Sequence, residues 1–184
     1  MTQLRYFFAD YMRMVGKTKL RIFIVWATAG GVGIFFYRFE RSMYLIFGKS
    51  WSFFRLLILP LLLLAEAYSK CDINYKADIG PGLKILHTVS GITISGLAVI
   101  GKNITLSGGN TIGGRRLNDK LPYIIGDNVY LGVNAIIIGP VILGNNVSVA
   151  AGSVVMKDAP DNCTLIGVPA RDILIHLRDY WEEE

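Results

Sequence analysis

An aliphatic residue recurs at every sixth position through the second part of this 184-residue chain. Strand alternation has a period of two residues and a helix a period of 3.6, so a period of six predicts short extended segments separated by corners. We expect a chain wound around a triangular prism, with one six-residue unit on each side and the recurring residue pointing inward. Thirteen units make a little over four coils of three units each. The recurring residues are Ile73, Ile79, Ile85, Ile94, Ile100, Leu106, Ile112, Ile125, Leu131, Ile137, Leu143, Val149 and Val155.

The positions between these residues support the same prism. Gly and Asn are frequent next to the repeat starts, and both residue types accept the backbone angles that a tight corner requires. Two interruptions separate the runs, and we expect a short bulge at Leu86–Thr93 and a projecting loop at Gly113–Ile124. Four residues after a repeat start stands a small or aliphatic residue, as at Val129, Ala135, Val141, Val147, Ser153 and Ala159.

Charge and aromatic residues divide the chain into two unlike parts. Residues 1–70 carry 10 Lys and Arg against 3 Asp and Glu, and they hold 16 of the 21 aromatic residues. Residues 71–184 carry 9 basic against 11 acidic residues, so the overall charge of +5 comes from the first part. With 52% apolar residues the composition excludes a disordered chain, a collagen and a disulfide scaffold.

The basic first part is predicted to be helical, with two apolar runs at Ile22–Tyr37 and Phe53–Tyr68. Both runs are short for a bilayer span, which takes about 20 apolar residues, and Pro60 would kink or break a helix. Three arrangements stay open: helices packed across an oligomer, helices lying in the inner leaflet, or a spanning hairpin. We expect a cytoplasmic protein, peripheral on the inner face of the membrane if the second holds, and no nucleic acid partner, because the basic residues lie among aliphatic runs.

Cysteine and histidine are scarce. Cys71 and Cys163 have no paired spacing and no nearby histidine, so each is interpreted as a buried or idle thiol. The two histidines are His87 and His176, and the second lies in a polar tail where we expect a surface or packing role. Two histidines cannot make a three-histidine metal site, and no metal is expected.

Residues Cys71–Ile173 resemble the hexapeptide-repeat acyltransferases, and within them the serine acetyltransferase-like branch. The resemblance is carried by the segments ILHTVSGITIS around His87, NTIGGRR, and VAAGSVVMKDAPDNCTLIGVPAR. It implies a mainly β fold, a single-stranded left-handed parallel β-helix over residues 71–171, preceded by a helical segment over 1–70 and followed by a short C-terminal helix over 172–184. The oily, basic first part is most similar to enzymes of exopolysaccharide (colanic-acid-type) assembly.

The resemblance also implies a reaction, the transfer of an acetyl group from acetyl-CoA to a hydroxyl. An alcohol is a weak nucleophile near neutral pH, so a general base has to accept its proton. His87 stands at the position of the family's catalytic histidine, and imidazole suits that role. Asp72, 15 residues earlier, matches the family's orienting carboxylate and should stack beside His87 and fix its tautomer.

Acetyl-CoA lies in a groove between neighbouring prisms in this family, so a homotrimer is implied. Carried over position by position, Gly114, Val133 and Ala151 should line the pantetheine arm with small or apolar surface. The positions that could contact the phosphates of the cofactor are Arg115, Arg116 and Arg171.

The acceptor site departs from that of true serine acetyltransferases. Leu86 replaces an Asp before the histidine, Lys120 replaces an Arg, and Leu121 replaces a second histidine. These changes remove the charge that would pair with an amine and weaken the grip on a carboxylate. We therefore expect an O-acetyltransferase acting on a saccharide, in free or lipid-linked form. Two alternatives stay open: a serine O-acetyltransferase, and a non-catalytic trimeric scaffold.

Overall fold

A computed structural model of the chain describes residues 2–16, 22–114 and 121–173. The second part is a parallel β-solenoid of about four turns whose strands stack into three flat faces, here called A, B and C. Face A consists of β1 (Cys71–Ile73), β4 (Ile92–Ile94), β7 (Thr111–Gly114), β10 (Ile136–Gly139) and β13 (Val154–Val155). Face B consists of β2 (Asp78–Ile79), β5 (Ala98–Ile100), β8 (Tyr123–Ile125) and β11 (Ile142–Leu143). Face C consists of β3 (Lys84–Ile85), β6 (Thr105–Leu106), β9 (Tyr130–Leu131), β12 (Ser148–Val149), β14 (Thr164–Gly167) and the antiparallel β15 (Ala170–Asp172).

The interior of the solenoid is the predicted one. All thirteen recurring aliphatic residues are at most 7% exposed, and each lies in register with its counterpart in the next coil, as Ile94 does with Ile112. The second set of small and aliphatic residues, from Val129 to Ala159, is buried as well. Burial of this apolar surface is the main favourable contribution to folding. The six-residue period therefore predicted both the architecture and its core.

Asparagine forms a ladder along the edge between faces B and C. Asn103, Asn128, Asn146 and Asn162 adopt left-handed backbone angles, with φ between 55° and 61°. The side-chain amide of each of the first three donates to the side-chain oxygen of the asparagine in the next coil at 2.9–3.0 Å. Asparagine tolerates this conformation better than other non-glycine residues, so the prediction that Asn turns corners is confirmed.

Both interruptions of the repeat are shorter than predicted, because strands extend into them. The bulge is confined to residues 86–91, because Ile92 already begins β4 and Thr93 pairs with Asp72 of β1. β7 continues to Gly114, which pairs with Gly139, so Gly113 is a strand residue rather than the start of a loop. Half of the predicted loop, residues 115–120, lies outside the described residues, and Tyr123 and Ile124 at its predicted end belong to β8. The predicted C-terminal helix beyond residue 173 also lies outside the described residues, and Asp172 at its predicted start belongs to β15.

Four α-helices precede the solenoid in the part of the chain that the structure describes. The apolar run Ile22–Tyr37 is not one helix, because the hydroxyl of Thr28 accepts a hydrogen bond from the amide of Gly31 at 3.1 Å and caps the helix that begins at Ala29. The helices are α1 (Thr2–Val15), α2 (Ala29–Phe47), α3 (Trp51–Leu57) and α4 (Leu59–Ser69), with 3₁₀ turns at Val25–Ala27 and Gly48–Ser50.

Pro60 lies in the first turn of α4, where the chain bends by 85° between the segments 29–57 and 59–69. The predicted break at this proline is therefore confirmed. No single helix among the described residues is both long enough and apolar enough to cross a membrane. The bent pair reaches the required length and composition only when its two segments are taken together.

Helices α1 and α2 cover the first coil through buried polar side chains. The carboxylate of Asp10 accepts hydrogen bonds from the amides of Gly82 and Leu83 at 2.7 and 2.8 Å. The guanidinium of Arg38 donates to the carbonyls of Ile79 and Gly80 at 2.6 and 2.7 Å. Backbone groups of a first coil have no preceding coil to bond with, and a buried group left without a partner is costly. The two helices supply these partners.

Candidate active site

One edge of the solenoid, where face C turns into face A, carries the catalytic candidate. We call it the His87 edge; from coil to coil it consists of residues 86–91, 107–110, 132–135 and 150–153. Backbone hydrogen bonds stack these corners: the amide of Asn134 donates to the carbonyl of Gly108, and the amide of Gly152 donates to that of Val133, each at 2.8 Å. The edge is a continuous column that leads from His87 toward the C-terminal coils.

His87 is exposed at the lower end of this edge and faces the helical segment. A groove of about 310 Å³ separates them, and its walls include Thr28, Ala29 and Gly30 at the start of α2. Lys84 and Leu86 lie on the solenoid side of the same groove. An exposed imidazole beside a groove that is open to solvent can accept a proton from a hydroxyl bound there.

The backbone of His87 is held by residues that sequence reasoning missed. Gly108 has φ +129°, and a Cβ at this position would collide with the carbonyl oxygen of His87. Asn110 is 1% exposed; its side-chain oxygen accepts from the amide of Gly108 at 2.9 Å and its amide donates to the carbonyl of Gly132 at 2.7 Å. The signal was present in the sequence, because Asn110 stands four residues after Leu106, at a position where other units carry a small or aliphatic residue.

Asp72 lies on β1, in register with Thr93 of the next coil, and its side chain is exposed. No hydrogen bond or ion pair joins its carboxylate to the imidazole of His87, and the two side chains line different grooves. The groove at Asp72 also contains Glu40, Glu66 and Arg55, and Arg55 donates to Glu40. Burial and the neighbouring charge of Asp72 raise the pKa of Glu66. The orienting role of Asp72 toward His87 stays a prediction.

The positions predicted to contact the cofactor are partly brought together. Val133 and Ala151 lie on the His87 edge in successive coils. Gly114 lies at the far end of β7, across face A from that edge. Arg171 lies on β15 opposite Ile166. Arg115 and Arg116 are outside the described residues, so their predicted contacts with phosphates stay predictions.

The predicted acceptor residues are separated within one chain. Leu86 lines the His87 groove, whereas Leu121 is exposed beside Pro122, Pro140 and Ile142 in another groove. Lys120 lies outside the described residues. Leu86 and Leu121 could face the same acceptor only across a contact between two subunits.

The described residues contain no cluster of three or more His, Cys, Asp or Glu side chains that could hold a metal ion. Cys71 and Cys163 are buried free thiols, as predicted. Burial raises the pKa of both, that of Cys71 to about 12, so each is protonated near neutral pH. His176 lies outside the described residues.

Comparison with known sequences matches the coils that contain Val133 and Ala151 to an acyltransferase family. The family described as "Hexapeptide repeat of succinyl-transferase" covers residues 122–157, which run from the entry to β8 through β13. A serine acetyltransferase of Synechococcus elongatus is 34% identical over 122 residues, which are 65% of this chain and 50% of that protein. Residues 122–157 thus match a hexapeptide-repeat family, and the chain is similar to serine acetyltransferases. This hexapeptide-repeat chain spans about half the length of that relative.

Solved structures extend the similarity of this hexapeptide-repeat chain to its helices. Serine acetyltransferase of Neisseria gonorrhoeae, solved in complex with serine, superposes with a TM-score of 0.74 at 28% identity, over 92% of this chain and 68% of that one. Serine acetyltransferase of Brucella abortus, solved in complex with coenzyme A, gives a TM-score of 0.75 at 24% identity, over 92% of this chain and 67% of that one. The second likeness concerns the fold alone. The predicted β-helix with an N-terminal helical segment is confirmed.

Proposed function

We propose that the chain is an acetyl-CoA-dependent O-acetyltransferase in which His87 is the general base. The observation that carries the proposal is the His87 edge, which aligns an exposed histidine with Val133 and Ala151, the small and apolar positions expected along the pantetheine arm. The match of residues 122–157 to a hexapeptide-repeat family and the serine acetyltransferases among the relatives support the same reaction class.

The proposed reaction needs one base and no covalent enzyme intermediate. His87 accepts the proton of the acceptor hydroxyl while the oxygen attacks the thioester carbonyl. The tetrahedral intermediate collapses, the carbon–sulfur bond breaks, and the protonated imidazole returns the proton to the departing thiolate. The products are an acetyl ester and coenzyme A with a free thiol. Neither buried cysteine is required as a nucleophile.

Serine is the acceptor that the relatives described above favour, because both the Synechococcus and the Neisseria proteins are serine acetyltransferases. The sequence prediction of a saccharide acceptor, and of the exopolysaccharide branch, finds no support among these relatives. Serine O-acetylation is therefore the first candidate for the acceptor.

A saccharide hydroxyl is the second candidate, and one observation favours it. The described walls of the His87 groove contain Lys84 but no Asp or Glu, and Leu86 occupies the position next to the histidine. An ammonium group that enters a partly desolvated groove without a counter-charge loses hydration without compensation. A neutral acceptor avoids that cost.

A homotrimer is part of the proposal. The His87 edge exposes residues 86–87, 133–134 and 151–152 in a single chain, and Leu121 lies on another groove. A neighbouring solenoid packed against this edge would complete the groove and bring a second set of side chains to the acceptor.

Release of free thiol from acetyl-CoA tests the proposed function. Purified full-length protein should release thiol with one acceptor class, L-serine or a panel of neutral saccharides, and His87→Asn should lower the rate at least about 100-fold. His176→Asn, at the other histidine of the chain, is the matched control and should keep the rate. Retention of full activity in His87→Asn would exclude the mechanism. A chain that neither releases thiol nor gains thermal stability with coenzyme A would support the non-catalytic scaffold instead.

A further inference from the structure

An elbow of helices projects from the first part of the chain with an almost entirely apolar surface. We call residues 45–64 the apolar elbow; it contains the last turn of α2, all of α3 and the first half of α4. Leu57 is 77% exposed and Phe53 is 73% exposed. The other large apolar side chains exposed on it are Leu45, Ile46, Phe47, Phe54, Leu56, Leu61, Leu63 and Leu64. Exposure on this scale has to be explained by an occupant.

The exposed apolar side chains cover one wide face of each helix. Successive helical residues point about 100° apart, so Leu56, Phe53, Leu57 and Phe54 together span an arc of about 160° on α3. The exposed side chains of Leu61, Leu63 and Leu64 span a similar arc on α4, whose opposite face is apolar and buried. An apolar face of this width, without a covering element among the described residues, is suited to a surrounding apolar medium.

The charges of the elbow are all positive. Residues 45–64 contain Lys49 and Arg55 and no Asp or Glu. Lys49 is exposed at the turn between α2 and α3, next to the apolar side chains, while Arg55 donates to Glu40. A free cation at the rim of an apolar surface matches a layer of anionic head groups above acyl chains.

We infer that the apolar elbow inserts into the acyl region of an anionic lipid surface, with Lys49 at the level of the head groups. The bend of 85° at Leu57–Leu59 gives the segment the shape of a wedge that enters one leaflet. The solenoid then stays in water beside the membrane. This inference concerns location and does not depend on the proposed acetyl transfer.

Vesicle flotation of the full chain tests this inference. The protein should float with vesicles of phosphatidylcholine and phosphatidylglycerol, and it should bind more weakly to phosphatidylcholine alone. Leu57→Glu combined with Leu64→Glu should lower the partition coefficient by at least about tenfold, because charged groups replace side chains that would be buried in lipid. Val99→Glu, an exposed apolar position on face B, is the matched control and should bind like the parent chain.

A milder variant protects the test against misfolding. Leu57→Trp should gain fluorescence quenching by brominated lipids, whereas Val99→Trp should not. Binding of the double Glu variant at the parent level, or equal quenching of the two Trp variants, would overturn the inference. A fall in oligomeric mass in the double Glu variant would also overturn it, because the elbow would then contact a second copy of the chain.

Discussion

The guanidinium of Arg38 and the carboxylate of Asp10 form an ion pair with an Nε–Oδ2 distance of 2.8 Å, and both side chains are at most 3% exposed. The pair joins α1 to α2, and both partners also bond to the backbone of the first coil. Burial raises the pKa of Asp10, and the charge of Arg38 opposes that rise. The helical segment is therefore attached to the solenoid by polar bonds as well as by apolar contact.

Removing one member of this pair should destabilise the whole chain. Arg38→Met leaves the carboxylate of Asp10 buried without its counter-charge and removes donors to two carbonyls, so we expect a loss of about 3–5 kcal/mol in the free energy of unfolding. Denaturant unfolding followed by circular dichroism measures this loss. Arg5→Met, at an exposed arginine of α1, is the control and should change stability by less than about 0.5 kcal/mol. Equal stability of the two variants would contradict the inference that Arg38 stabilises the chain by pairing with Asp10 and bonding to the first coil.

The predicted role of Asp72 can be separated from general surface charge. Asp72→Asn keeps the shape of the side chain and removes its charge, so if Asp72 orients His87 in the active assembly, kcat should fall by at least about tenfold with the stability unchanged. Asp78→Asn is the matched control, because Asp78 is also exposed on a strand of the first coil. Its carboxylate pairs with the largely buried Arg41, so the stability of both variants is measured with kcat. If both variants turn over like the parent chain, Asp72 has no orienting role.

Gly108 should matter for catalysis through the position of His87. Gly108→Ala places a methyl group against the carbonyl oxygen of His87, at a backbone angle that alanine rarely adopts, so the corner has to shift. We expect kcat to fall by at least about tenfold with a smaller change in KM. Gly113→Ala adds a methyl group in open space and serves as the control. A parent-like kcat in Gly108→Ala would show that the corner tolerates the shift.

The thiol of Cys71 should resist modification in the folded chain. Burial raises its pKa from 9.0 to about 12, so the thiolate is scarce at pH 8. The neutral thiol is favoured in the folded chain, and the stability that this contributes is lost only as the pH rises from 9.0 toward about 12. In a Cys163→Ala background, iodoacetamide should react slowly with native protein and rapidly after unfolding in urea. The native rate should still be increasing above pH 9, where the unfolded chain levels off. Rapid modification of native protein at pH 8 would show that Cys71 is accessible.

Much of the solenoid could be predicted because its information is local. The residue at every sixth position has a single environment, the interior of the prism. All thirteen such residues from Ile73 to Val155 are buried. His87 was found by its place in a motif after three regular units. Asn110 and Gly108 were not singled out, because their importance comes from the stacking of corners that are 21 residues apart in sequence, as His87 and Gly108 are.

The sequence by itself determined the solenoid, its coils and the candidate base, because a short period repeats the same packing problem and leaves one solution. Tertiary structure decided how the helices sit on the first coil, since the Asp10–Arg38 pair joins residues 28 positions apart and buries charges that a local pattern assigns to a solvated face. It also decided that the two apolar runs differ. Residues of α2 such as Ile34 are packed against the solenoid, whereas those of the elbow are left exposed. Hydropathy is alike in both runs; only the contacts distinguish a core helix from a surface that needs an occupant.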